Sequence, residues 1–159
     1  MKRRSAAGEP FFAYLPTNTP HGPFYAPDED IEIMEEKVAN AELPRMTPRS
    51  KSNLVRYLAM IRNIDTNMGR LMAFLDKTGL AENTILLFMT DNGSTFGHAY
   101  FHAGMRGRKT HLWEGGHRVP CFIRWPSGGF GKPRDVGGLT QTRDLLPPLL
   151  GLCGVGAAR

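Results

Sequence analysis

Three features of this 159-residue chain combine residue types that suit chemistry. Asp91 and Asn92 stand at the end of the apolar run Ile85-Leu86-Leu87-Phe88-Met89 and just before Gly93. Lys109 lies in the glycine-rich stretch from Met105 to Gly116, five positions before Glu114. His21 sits among turn formers in Thr17-Asn18-Thr19-Pro20-His21-Gly22-Pro23. Acid and amide oxygens suit a hard divalent cation, a lysine suits an anionic oxygen, and a histidine can give or take a proton. Together they describe metal-assisted cleavage of a charged ester. Each feature alone has a plainer reading. Asp-Asn-Gly is a common turn composition, and His21 also reads as a surface histidine in a proline-rich loop.

These residues need a scaffold that brings distant stretches to one place. A short continuous apolar run reads as a strand buried on both faces, and in an open parallel sheet the carboxyl ends of the strands hold the ligand crevice. Asp91 and Asn92 would then face a cleft. Phe11-Phe12-Ala13-Tyr14-Leu15, between Pro10 and Pro16, reads as a second buried strand that leads into the His21 loop. His21 is thereby expected at the same sheet edge. Thr47-Pro48 supplies an N-cap and a proline at the first helical position, and Thr78-Gly79 a stop, which predicts a long helix to Lys77. Its apolar stripe of Leu54, Leu58, Ile61, Met68, Leu71, Met72 and Leu75 would pack on the sheet. Asp65 falls on that stripe and is expected to be buried with a partner. Met60, Met68 and Met72 read as core.

A surface excursion over 24–46 contains a short helix near Ile31–Ala39, with Glu35 and Glu36 on a solvated face. A further strand is expected over Arg118–Trp125, and Thr142-Arg143-Asp144 caps a last short helix ending near Leu150. The order strand, loop, helix, strand fits a right-handed crossover in a mainly parallel α/β sheet. The aperiodic region from Phe96 to Gly116 is a long loop of the kind that carries function.

Composition narrows the class. With 41% hydrophobic residues the chain can bury one core. The formal charge of +5 is modest, and Lys and Arg are scattered without an aromatic-lined stripe, which argues against nucleic acid and for anionic small ligands. No apolar stretch reaches the roughly 18 residues of a membrane span. Cys121 and Cys153 lie in apolar surroundings outside any zinc-type spacing and read as buried thiols.

Taken together, the order of these motifs resembles the type I sulfatases of the alkaline-phosphatase superfamily. The resemblance rests on the aromatic strand leading to Thr19-Pro20-His21-Gly22-Pro23, the long helix, and Thr90-Asp91-Asn92-Gly93. It continues through the Lys109 to Gly116 segment, Arg118-Val119-Pro120 and the closing Asp144-Leu145-Leu146-Pro147. It implies a partial alkaline-phosphatase-like fold and hydrolysis of sulfate esters, on a sulfated small molecule or a sulfated carbohydrate. It also implies Asp91 and Asn92 as ligands to Ca²⁺ or Mg²⁺, Lys109 as the residue that binds sulfate oxygens and supports the leaving oxygen, and His21 as a general acid. His98, His102, His111 and His117 read as loop or structural histidines.

The chain also departs from the family pattern. Sulfatases carry a Cys or Ser, converted to formylglycine, in a Cys/Ser-x-Pro/Ala-x-Arg motif, together with an acidic pair that completes the metal site. Neither the Cys/Ser-x-Pro/Ala-x-Arg motif nor an Asp-Asp pair occurs in these 159 residues. The resemblance therefore makes residues 1–159 a partial catalytic domain, inactive alone. Residues 10–154 are sulfatase-like and 1–9 form a disordered or non-native start, with the N-terminal part and the C-terminal antiparallel subdomain absent. The family is usually periplasmic, extracellular or lysosomal. The competing readings are a phosphodiesterase or phosphonate hydrolase of the same superfamily, a non-catalytic polyanion-binding module using residues 106–118, and an inactive remnant.

Overall fold

A computed structural model describes residues 1, 3 and 6–156. The chain forms two compact units, residues 1–129 and 130–159. In the first, helix α1 (Asp28–Ala39) and helix α2 (Pro48–Lys77) precede strand β1 (Leu86–Met89), the single turn α3 (Glu114–His117) and strand β2 (Cys121–Arg124). The second holds a 3-10 turn at Thr142–Leu145 and helix α4 (Leu146–Leu152).

Helix α2 begins and ends where local chemistry sets its ends. The Thr47 hydroxyl accepts a hydrogen bond from Ser50 N at 3.2 Å, and Pro48 occupies the first turn, where a missing N–H costs nothing. At the other end Leu80 N donates to Leu75 O at 2.9 Å, across Gly79 at φ +71°. In α4, Pro147 and Pro148 lie in the first turn, and Gln141 N donates to the Asp144 carboxylate at 2.7 Å just ahead of it. The helix therefore forms despite its prolines.

The core lies between α1 and α2. Met34 and Val38 pack against Leu54, Val55 and Ala59, with Ile31, Leu58, Phe96 and Tyr100 at the margin. Glu35 and Glu36 lie on the solvent side, as their lack of ligand spacing implies. Among the partly apolar positions of α2, Leu54 and Leu75 are buried as the stripe requires, but Ile61 is exposed. The face is set by the partner helix, and it runs through Val55, Ala59 and the polar pair Arg62 and Asn63.

That choice of face corrects the reading of Asp65, which is exposed. The buried acid is Asp30 on α1, only 4% exposed. Arg62 donates to its Oδ1, and Asn63 Nδ2 donates to its Oδ2 at 2.7 Å. A carboxylate this deep is tolerated because both oxygens are paired.

The strands differ from expectation in two ways. β1 and β2 pair antiparallel, with Leu86 opposite Arg124 and Met89 opposite Cys121, and the Phe88 and Phe122 rings stack at 6.4 Å. Residues 11–15 form no strand. Phe12 is 90% and Tyr14 77% exposed. A strand needs a partner for its backbone groups, and among the described residues no strand pairs with this stretch, so the expected parallel crossover has no first member. The cysteines are likewise corrected, since both thiols are exposed. Cys121 lies on β2, whose Phe122 is 64% exposed, so apolar neighbours in sequence do not cover it. Residues 2, 4 and 5 of the expected irregular start at 1–9 lie outside the described residues.

Replacing Asp30 by alanine leaves Arg62 and Asn63 without their acceptor and is expected to cost about 2–4 kcal/mol, whereas Asp65→Ala costs within about 0.5 kcal/mol. Urea unfolding followed by far-UV circular dichroism measures both. Equal losses would contradict this assignment of the buried acid.

Candidate functional site

Asp91 and Asn92 leave the end of β1 in the turn Thr90-Asp91-Asn92-Gly93, opposite the start of β2. Asn92 Nδ2 donates to Asp91 Oδ2 at 2.6 Å, which holds the two side chains together with the second carboxylate oxygen and the amide oxygen left over. Asp91 is exposed and Asn92 half-buried, so both are accessible to a ligand.

This turn is docked onto the glycine-rich loop by backbone alone. Gly93 N donates to Gly116 O at 3.0 Å, and Lys109 N donates to Ser94 O at 3.3 Å. The approach is so close that a Cβ on Gly93 would stand 1.9 Å from Gly115 O, and one on Gly116 would stand 2.1 Å from His111 O. Only glycine permits such contact. Within the loop, Gly115 N donates to Arg106 O at 2.8 Å and His111 N to Arg108 O at 2.9 Å. The Arg106 guanidinium lies 3.7 Å over the Trp113 ring, a cation–π contact across the neck of the loop. Lys109, half-buried, therefore leaves a closed loop fixed directly against the acid-amide turn.

Ser94, which carries no functional signal in the sequence, organises the turn. Its hydroxyl oxygen accepts from Phe96 N at 3.1 Å, from Gly97 N at 2.7 Å and from Tyr57 on α2 at 3.2 Å. The available signal was a serine placed to cap the residues two and three positions on, a common local motif. Around it Phe24, Tyr57, Phe96 and Tyr100 form an aromatic cluster with neighbouring centroids 5.1–5.7 Å apart. Phe24 lies three residues after His21, so the His21 loop is anchored to the same turn through this cluster.

The structure thus brings Asp91, Asn92 and the Lys109 backbone together. It does not bring His21 into hydrogen-bond contact with them. His21 is exposed, and its Nδ1 lies 2.7 Å from Gly22 O. His117 Nε2 lies 3.2 Å from Leu112 O, in keeping with a structural role. His98, His102 and His111, with Arg108, line one cavity beside Lys109, a grouping the sequence did not disclose.

A divalent cation would find part of a site here. The acid and amide oxygens are hard donors, but among the described residues no three His, Cys, Asp or Glu side chains are grouped to hold an ion. Asp91 and Asn92 fit such an ion as two ligands of a larger shell.

The joint makes a direct prediction. Gly93→Ala forces the two loops apart and should cost about 1–3 kcal/mol, lowering the thermal midpoint, while Gly137→Ala, where a Cβ meets nothing within 4 Å, should leave it unchanged. Differential scanning calorimetry of both variants is the check.

Comparisons with known proteins identify the family. The sulfatase family model matches residues 3–155. The chain is similar to the ulvan-active sulfatase of Formosa agariphila, at 31% identity over 98% of this chain and 30% of the relative. It is also similar to the N-acetylgalactosamine-6-sulfatase of Canis lupus familiaris, at 29% identity over 98% of this chain and 27% of that one. The crystal structure of Ps i-CgsB in complex with k-i-k-neocarrahexaose superposes with a TM-score of 0.73 at 26% identity, over 99% of this chain and 33% of that one. The chain thus spans about a third of the length of these relatives and shares their α/β fold over that span. With the family match running through all but the ends of the sequence, the chain belongs to the sulfatase family.

Proposed function

We propose that this chain carries the part of a sulfate-ester hydrolase site that binds the sulfate group and supports departure of the ester oxygen. The observation that supports this reading is the backbone joint between the Asp91-Asn92 turn and the Lys109 loop, which holds the main chain of the two stretches against each other. Asp91 and Asn92 would hold a Ca²⁺ or Mg²⁺ ion. Bound there, such an ion neutralises charge on the sulfate oxygens.

The chain's own residues do the rest. The Lys109 ammonium binds sulfate oxygens and stabilises the negative charge that gathers on the ester oxygen as the S–O bond lengthens. The hydrogen bonds that close its loop support this reading, because they limit how far the backbone at Lys109 must reorganise. His21, anchored through Phe24, holds a proton for the departing oxygen, and the exposed loop on which it stands would bring its ring to that oxygen when substrate is bound. No formylglycine motif occurs in these 159 residues, so these groups would act on a sulfate whose sulfur this chain alone does not attack. A sulfated carbohydrate is the favoured ligand. One relative is named for activity on ulvan, and one matching structure holds a neocarrahexaose.

Calorimetric titration of the chain with a sulfated monosaccharide in the presence of Ca²⁺ tests the reading. Lys109→Ala should weaken binding about tenfold, the loss expected for one charge-assisted hydrogen bond, and Asp91→Ala should remove the Ca²⁺ dependence. Turnover of a chromogenic aryl sulfate should not exceed that of the Lys109→Ala chain. Metal-independent binding that both variants retain, and that falls steeply with salt, would replace this reading with that of a polyanion-binding module.

A further inference from the structure

Beside Lys109 lies an open cleft of about 350 Å³ lined by His98, His102, Met105, Gly107, Arg108 and His111. We infer that this cavity is a subsite for a second anionic substituent, a sulfate or a carboxylate, on the same carbohydrate whose sulfate ester Lys109 engages. The identity of the ligand rests on the sulfate-ester reading of Lys109. The cavity's preference for an anion rests on its own lining.

Arg108 contributes a permanent charge, and among the described residues its guanidinium has no ion pair and no side-chain hydrogen bond. A planar fork of donors left open in this way matches the oxygens of a sulfate or carboxylate. The half-buried His98 and the exposed His102 and His111 add imidazole N–H groups to the lining. No Asp or Glu lines the cavity, so nothing built into the wall competes for these donors or repels an anion. Met105 adds an apolar surface against which the C–H face of a sugar ring can lie.

Three histidines around one cavity invite a transition-metal reading, but among the described residues no three such ligands are close enough to share an ion. Hydrogen bonding to an anion is the chemistry left to them. The cavity's position sets the scale of the ligand. Arg108 and Lys109 are consecutive, with Cα atoms about 3.8 Å apart, yet only Arg108 lines the cavity. One ligand a sugar ring or two wide can therefore meet both cations, one through each anionic group. The backbone supports the separation. Thr110 holds φ +78° immediately after Lys109, a turn that separates Lys109 from His111.

The test is calorimetric titration of the chain at fixed ionic strength with three matched disaccharides. One is monosulfated, one carries two sulfates, and one carries a sulfate and a uronate carboxylate. The chain should bind at least one doubly anionic ligand about five- to tenfold tighter than the monosulfated one, and the arm with the larger gap names the second group. Arg108→Ala should erase that gap, and Arg108→Lys should restore part of it. Arg49→Ala, which removes an exposed cation at the start of α2, should leave it intact. Arg108 is exposed, and circular dichroism confirms that each variant is folded. A gap that survives Arg108→Ala, a gap that Arg49→Ala removes equally, or no gap at all overturns the proposal. Lys109→Ala separates the two readings. If it weakens all three ligands while the gap persists, both stand, and if it weakens none while the Arg108-dependent gap persists, the subsite stands and the sulfate-ester reading fails.

Discussion

The site depends on one close approach, the contact of Gly93 with the backbone of Gly115 and Gly116. Two stretches more than twenty residues apart in sequence meet there with no side chain between them, joined by the hydrogen bond from Gly93 N to Gly116 O. The bond from Lys109 N to Ser94 O repeats the link one residue further along. Side-chain contacts adapt to small shifts by changing rotamer, but a backbone contact at van der Waals limit does not. The backbone positions of Asp91, Asn92 and Lys109 are therefore set by main-chain geometry.

The helical part of the first unit transmits its order to that joint through Ser94. Tyr57 on α2 donates to the Ser94 hydroxyl oxygen, and the aromatic cluster around it spans the His21 loop, α2 and the turn after β1. Helix α2 is itself held in register by α1, through apolar packing and the Asp30 contacts with Arg62 and Asn63. A buried charge pair adds little net stability over an apolar one, but it penalises any rotation of α2 that would leave Asp30 unpaired. Such a rotation would also carry Tyr57 away from Ser94. The Asp30 contacts thereby act as a registration device for the turn, with Arg62 and Asn63 some thirty residues before it in sequence and Asp30 some sixty.

What could be read from sequence divides along the range of the forces involved. Helix ends were legible because Thr47, Pro48, Thr78 and Gly79 act within one turn of themselves. The buried face of α2 was legible at Leu54, Met60 and Leu75 but not at Ile61 and Asp65, because the middle of the face is set by where α1 lies, and nothing in α2 records that. Residues 11–15 have the composition of a strand, but composition supplies no partner for the ladder. The thiol of Cys121 is exposed for the same reason, since an apolar neighbour in sequence is no cover in space. At the site, the residue types at 91, 92 and 109 were legible, and the family resemblance joined them. The cavity beside Lys109 was not, because it depends on backbone turns that residue identity does not announce.

One of those turns links the readable and unreadable parts. Thr110 adopts φ +78°, a conformation that a β-branched residue reaches only at a cost of about 1–3 kcal/mol. Glycine would serve there without strain, and glycine is otherwise abundant in this loop. The threonine is held in place because the loop is closed around it, by the Gly115 N to Arg106 O bond and the Arg106–Trp113 contact on one side and the Lys109 N to Ser94 O bond on the other. A glycine at 110 would leave the chain free to swing Lys109 and His111 independently. The branched side chain removes that freedom, so that the backbone at Lys109 and the wall of the neighbouring cavity keep a fixed relation. The strain at Thr110 and the close approach at Gly93 are in this sense complementary, the one fixing direction within the loop and the other fixing the loop against the sheet.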